Sequence, residues 1–278
     1  MNDLNLKNKV AVVTGGAGVI CSEMAKSLAA NRVKTVILDI NRDAAVSTAE
    51  EIERAFKVPS LGISASVLDR SSLEEAKKEV NERFGAIDIL INGAGGNSPS
   101  ATTKVEMMSG GEKDEETFFG LQAEGFDMVF DLNFKGILLP SMVFGTDMVR
   151  KRSGVIINIS SMNSYRPLTK IPAYSAAKAA VNNFTQWLAV HFSKTGVRVN
   201  AIAPGFFVTN QNRFLLFDEK TGEPTPRSRK IISSTPMERY GTPEELTGTL
   251  IYLVSDLSRF VTGVVIPVDG GFSAYSGV

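Results

Sequence analysis

Short apolar runs and longer amphipathic stretches alternate along most of the chain. The runs "KVAVVT" (Lys9 to Thr14) and "TVILDI" (Thr35 to Ile40) are rich in β-branched residues and apolar on both faces, which predicts strands covered from both sides. Between them, Ile20, Met24 and Leu28 recur at helical spacing. A helix near Arg42 to Phe56 and a strand near Leu61 to Ser64 come next. Leu73, Ala76, Val80 and Phe84 then mark one face of a further helix, with Ser71 and Glu74 spaced as a capping box at its start. "IDILINGAGG" reads as a fourth strand running into a glycine-rich turn, Asn92 to Gly96. The pattern is lost over 97–124, where charge, glycine and isolated aromatics mix without a period; a segment of that length predicts a functional insertion or lid.

Periodicity returns with a helix from about Phe126 to Arg150 and a buried strand, Val155 to Ile159. A long helix follows, whose Ala177, Val181, Phe184, Leu188 and Phe192 form one stripe. "RVNAIAPG" supplies a sixth strand ending at Pro204 and Gly205; 206–241 is irregular and predicts a substrate loop; a last helix from Pro243 and a strand near Val264 to Val268 close the chain. Seven strands alternating with six helices predict a doubly wound, parallel, seven-stranded α/β sheet of Rossmann type. With no internal repeat and no linker, residues 1–278 read as a single domain.

Composition narrows the partners. Thirty basic and thirty acidic residues cancel, and no long run of one sign appears, so neither nucleic acid nor a membrane surface is expected, and a small molecule is. One cysteine, Cys21, excludes an internal disulfide; the start "MNDLNLKNKV" lacks the marks of a signal peptide, and no segment approaches eighteen uninterrupted apolar residues, so a soluble cytoplasmic protein is expected. The single histidine, His191, and the single cysteine leave His/Cys zinc ligation and Ser-His-Asp chemistry almost no material; no metal site is expected, and His191, late in a helix, reads as a packed or interface residue.

The chemistry-bearing residues gather at strand ends. "GGAG" between the first strand and helix suits close backbone approach to a pyrophosphate at a helix N-terminus, where free N–H groups and the helix dipole stabilise negative charge. Asp39, about twenty residues on, ends the second strand, where a carboxylate accepts from ribose hydroxyls and repels a 2′-phosphate; it favours NAD over NADP, although it could instead cap the following helix, and Arg42 stands near. Tyr174 and Lys178, four apart on one helix face, put an ammonium beside a phenol; a neighbouring cation favours the phenolate and is expected to lower the Tyr174 pKa toward neutrality. Ser161 sits just past the end of the strand Val155 to Ile159.

Ser161, Tyr174 and Lys178 at this spacing, with Asn133 in "DLNFKG" upstream, resemble the Ser-Tyr-Lys-Asn set of the short-chain dehydrogenase/reductase family. The resemblance implies that Tyr174 is the acid/base group, Lys178 lowers its pKa and holds the nicotinamide ribose, Ser161 positions the reacting oxygen, and Asn133 holds a water linking the lysine to solvent. It places NAD contacts on Gly15, Gly18, Val19, Ile20, Asp39, Val67, Asn92, Gly93, Ala94, Tyr174, Lys178, Pro204, Gly205, Val208 and Thr209. Three positions depart from the family pattern. In the usual Thr-Gly-x-x-x-Gly-x-Gly turn, Thr14 and Gly15 match, but Val19 and Cys21 hold the later glycine positions, Cys21 reading as a small packing residue. Gly93 replaces the second Asn of the Asn-Asn-Ala-Gly element, and Ser66 stands where an adenine-contacting Asp is common.

"GAGGN", "ISSMNSYRPLTKIPAYSAAKAAVNNFTQWLAVHF", "NAIAPGFFVTNQNR" and "GGFSAYSGV" are similar to the D-mannonate oxidoreductase branch of that family, which implies a sugar-acid substrate, D-mannonate and D-fructuronate, and a homo-oligomer, a tetramer. A gluconate or polyol dehydrogenase, a 3-oxoacyl carrier-protein reductase, or a non-catalytic binding protein on the same fold remain alternatives. The polar set Asn163, Asn210, Gln211, Asn212 and Arg213 argues for a polyhydroxylated acid over an acyl chain, with Arg213, Arg166 or Lys104 as the partner of its carboxylate.

Overall fold

The computed structural model describes residues 4–209 and 213–277. Seven strands, β1 (Val10–Thr14), β2 (Lys34–Asp39), β3 (Ser60–Ser64), β4 (Ile89–Asn92), β5 (Gly154–Ile159), β6 (Val197–Pro204) and β7 (Val265–Val268), form one sheet in the order β3-β2-β1-β4-β5-β6-β7, with every pairing parallel. The order reverses between β1 and β4, so the loops leaving these two strands part in opposite directions and open a crevice at the carboxyl edge. Parallel strands buried on both faces need helices on both. One apolar layer holds Ala11, Val13, Ile37, Ile89 and Ile91, and the other Val10, Val12, Val36, Leu38 and Leu90.

The helices are α1 (Val19–Ala30), α2 (Arg42–Phe56), α3 (Arg70–Arg83), α4 (Ala123–Phe130), α5 (Gly136–Lys151), α6 (Pro172–His191), α7 (Arg213–Leu216), α8 (Pro226–Ser233) and α9 (Thr247–Val254). Two expectations are corrected here, the capping box of α3 and the irregularity of 206–241. The cap of α3 is Asp69, whose carboxylate accepts from the Ser71 and Ser72 N–H groups, while Glu74 pairs with Arg70; the capping box of this chain is instead Thr242 with Glu245. The segment 97–124 is threaded by three short 3₁₀ turns and ends in the first residues of α4. The stretch 206–241, expected as a loop, carries α7 and α8.

The helix expected from Phe126 to Arg150 runs from Ala123 to Lys151 but widens into one π turn at Asp131–Lys135, which separates α4 from α5. By length and composition this is a stretch that could cross a membrane, yet half of it is buried inside the domain, as befits a core helix. A π turn inside a helix costs regular hydrogen bonding and is frequent at functional positions. Asn133 stands in the middle of this one.

Candidate active site

Beneath the carboxyl edge a row of buried polar side chains ties the strands together. Thr14, Asn92 and Asn158 are register partners across β1, β4 and β5 and are fully buried. The Thr14 hydroxyl accepts from the Gly93 and Ala94 N–H groups at 3.0 and 3.3 Å. The Asn92 amide donates to Ser141 Oγ and Asn158 Oδ1, both at 2.9 Å, and the Asn158 amide donates to Thr185 Oγ1. These hydrogen bonds tie the strand ends to one another, while Asn92 Oδ1 finds no partner among the described residues. Asn92 therefore underlies the cleft rather than lining it, in contrast to the cofactor contact expected of it.

Above this row lies one cleft of about 1060 Å³. Its first part follows the glycine turn. Gly15 takes φ +61°, and a Cβ there would come within 2.9 Å of Ala94 Cα, so only glycine lets the β1 and β4 turns meet. Gly18 is the N-cap of α1 and provides no side-chain cap, which leaves the first N–H groups of α1 for a ligand beside Val19 and Ile20 in the cleft wall. Asp39 ends β2 in the same wall; its carboxylate accepts from Ala17 N–H at 3.3 Å and Asn41 N–H at 3.1 Å. The cap of α2 is Asn41, so the capping alternative for Asp39 falls away. Ser66, Val67 and Leu68 complete this end.

The two departures at Cys21 and Gly93 prove to be one feature. A Cβ on Gly93 would fall 2.2 Å from Cys21 Sγ, so the thiol occupies the space that a side chain at position 93 would need. Burial pushes the Cys21 thiol up to about 12, and it packs as a small apolar group rather than reacting as a thiolate.

The second part of the cleft is built from β5 and α6. Ser161 caps the short turn Met162–Ser164, accepting from the Asn163 N–H at 3.2 Å, and its hydroxyl acts to lower the Tyr174 pKa. Lys178 is buried; its ammonium donates to the Ile159 carbonyl at 2.8 Å and lies 5.5 Å from the centre of the Tyr174 ring. Burial lowers the Lys178 pKa from 10.5 to about 8. The Tyr174 pKa departs from expectation: burial raises it, and the Ser161 hydroxyl only partly opposes that rise. Asn133 is fully buried and spends its side chain on backbone, donating to the Gly96 and Val129 carbonyls at 2.6 and 2.8 Å and accepting from Gly96 N–H at 3.3 Å. A Cβ on Gly95 would stand 2.7 Å from Asn133 Oδ1 and 3.4 Å from Lys178 Nζ, so these two groups flank that glycine.

Gly15, Gly18, Val19, Ile20, Asp39, Val67, Gly93, Ala94, Ser161, Asn163, Tyr174, Lys178, Pro204, Gly205 and Thr209 all line this one cleft. Val208 and Asn133 stand outside its wall. So do both arginines expected to meet a carboxylate. Arg166 is exposed and donates to the Tyr275 carbonyl at 2.7 Å, tying the C-terminal tail, and Arg213 is exposed with its guanidinium 5.4 Å from the centre of the Phe217 ring. Lys104 is exposed and pairs with Glu116. Asn210, Gln211 and Asn212 lie outside the described residues. The wall also contains Leu215, Leu216, Arg227 and Ile231, from the stretch read as a loop. The signal for α8 was present: Thr225 caps it, Pro226 takes its first position, and Arg227 and Ile231 are four apart on one face.

A parallel sheet with its order reversed beside a glycine turn, and a serine, tyrosine and lysine gathered where the crevice widens, define an enzyme that works on a dinucleotide and a second small molecule. The short chain dehydrogenase family matches residues 9–219, and the chain belongs to it as an oxidoreductase. An uncharacterised oxidoreductase of Haemophilus influenzae is 52% identical over 276 residues, covering 99% of this chain and 96% of that protein. A crystal structure from Haemophilus influenza, with bound NAD and provisionally named as a D-mannonate oxidoreductase, superposes with a TM-score of 0.92 at 52% identity, covering 99% of this chain and 98% of that one. The 2-dehydro-3-deoxy-D-gluconate 5-dehydrogenase of Dickeya dadantii is 32% identical, with 99% of each chain covered.

Proposed function

We propose that this oxidoreductase uses NAD to interconvert the alcohol and ketone of a sugar acid, D-mannonate and D-fructuronate. The observation that carries the reading is the convergence of Ser161, Tyr174 and Lys178 in a cleft whose other end has an uncapped helix N-terminus and the Asp39 carboxylate. The uncapped start of α1 suits a pyrophosphate, and a carboxylate at the end of β2 suits a ribose with free hydroxyls. The names of the similar proteins, one holding NAD and two acting on sugar acids, support cofactor and substrate class alike.

Nicotinamide, when bound, exchanges hydride with the substrate carbon. The chain's part is to move one proton at the attached oxygen. A phenol kept neutral by burial is a ready donor, so Tyr174 protonates the carbonyl oxygen during reduction and takes the proton back during oxidation. Ser161, in the same cleft wall as that phenol, places the same oxygen and stabilises charge developing on it. Lys178, close to half-protonated at mildly alkaline pH, returns the proton to Tyr174, and Asn133 holds the backbone beside this route. A tetramer, the remaining part of the proposal, is supported by the exposed apolar residues Met128, Trp187 and Val190, with His191 stacked on Trp187 at 4.8 Å; light scattering checks it.

The test follows nicotinamide absorbance with D-fructuronate and NADH. Wild type should turn over, and Tyr174→Phe should lose a factor of roughly 10²–10⁴ with NADH affinity within a few-fold. Turnover in Tyr174→Phe above a tenth of wild type would remove the tyrosine from the chemistry, and turnover of uncharged ketoses alone would remove the sugar acid.

A further inference from the structure

Two side chains carry positive charge into the described wall of the cleft, Lys178 and Arg227. Lys178 lies buried beside Tyr174 with its ammonium on the Ile159 carbonyl. Arg227 approaches from α8, half-buried, in a wall that also holds the apolar Leu215, Leu216 and Ile231. The carboxylate within electrostatic reach of it, Glu106, is ion-paired with Lys230, one turn further along α8. The Tyr240 phenol, which also feels Arg227, is bonded to Ser228. Among the described residues the Arg227 guanidinium takes part in no hydrogen bond and no ion pair, while Arg229 and Lys230 on the same helix are both engaged.

A guanidinium set against apolar side chains in a concave wall loses hydration without recovering it from a partner. Its planar fork matches a carboxylate and binds it through two parallel N–H bonds, which a lysine cannot do. Position separates it from the pyrophosphate seat. That seat lies at the start of α1, after β1, whereas Arg227 arrives on the chain that follows β6, with Leu168 and Ile171 of the segment between Ser161 and Tyr174 in the same wall.

We propose that Arg227 binds the carboxylate of the substrate and so selects sugar acids over neutral sugars. The assignment rests on the sugar-acid reading above and replaces Arg166 and Arg213 in that role. Because α8 carries both Arg227 and Lys230, the Glu106–Lys230 pair fastens the carboxylate-binding helix to the 97–124 segment.

The experiment compares wild type, Arg227→Gln, Arg227→Lys and Arg213→Gln on D-fructuronate and on D-fructose, its uncharged analogue, with NADH affinity measured by fluorescence for each. The expected result is a loss of roughly ten- to a hundredfold in kcat/KM on D-fructuronate for Arg227→Gln. Arg227→Lys should recover part of that loss, and D-fructose turnover, NADH affinity and Arg213→Gln should stay within about twofold. An equal loss on both substrates, a loss confined to NADH affinity, or no loss with D-fructuronate still turned over would each overturn the role of Arg227 while leaving the sugar-acid reading intact. Failure of wild type to turn over D-fructuronate would overturn that reading and this assignment together.

Discussion

Replacing Lys178 by methionine should change how the stability of the protein depends on pH, by an amount the burial of the ammonium fixes. In the fold this group has a pKa of about 8, against 10.5 ordinarily, so the folded chain holds the proton less tightly than the unfolded one. The cost is present in full wherever both states are charged, below about pH 8, and disappears as pH rises through about 10.5. At about 1.4 kcal/mol per unit, the full cost is about 3 kcal/mol, and between about pH 7 and about pH 9.5 some 2 kcal/mol of it is relieved. Tyr174, raised by burial, adds its own pH dependence only above about pH 10.

Methionine keeps most of the volume and has no charge to bury, though it loses the hydrogen bond to the Ile159 carbonyl. Wild type should therefore gain about 2 kcal/mol on Lys178→Met between those two pH values, as read by urea unfolding of both proteins in parallel. The variant should also lose nearly all turnover. A stability difference that stays constant to within about 0.5 kcal/mol across that range would show that the ammonium is not desolvated as described.

Asp39→Ala should erode the preference for NADH over NADPH, because it removes both the ribose acceptor and the charge that repels a 2′-phosphate; a parent enzyme that already prefers NADPH refutes this use of Asp39. Gly93→Asn should destabilise by roughly 1–3 kcal/mol through overpacking against Cys21 Sγ, and Cys21→Gly in the same chain should recover much of the loss. Additive effects in that double-mutant cycle, measured by urea unfolding, would separate the two positions.

The sheet was legible because its strands are covered on both faces and so read as uninterrupted apolar runs such as "VAVVT" and "VIINI". Many positions of the cleft wall were legible for a different reason: Gly15, Asp39, Ser161, Tyr174 and Lys178 sit at strand ends or on one face of one helix, so local spacing determines where they lie. What the sequence concealed depends on contacts between distant segments. The direction of the Tyr174 shift turns on how deeply the phenol is enclosed, and that is not written in the Tyr-x-x-x-Lys spacing. Arg166 is near Ser161 in sequence but is drawn off by the Tyr275 carbonyl, 109 positions away. Arg227 is one of four basic residues from Lys220 to Lys230, and only the packing of α8 distinguishes it from Arg229 and Lys230.

The interlock between Cys21 and Gly93 restricts the order in which this glycine turn can have diverged from its relatives. Starting from the family's usual pair, a glycine at position 21 and an asparagine at position 93, a cysteine introduced first would drive its sulfur into the asparagine. Losing the asparagine first leaves only a small void. A void of that kind costs on the order of 1 kcal/mol, whereas the overlap costs roughly 1–3 kcal/mol. The less costly route therefore runs through the hole and then fills it, and restoring the asparagine alone carries the cost of the overlap.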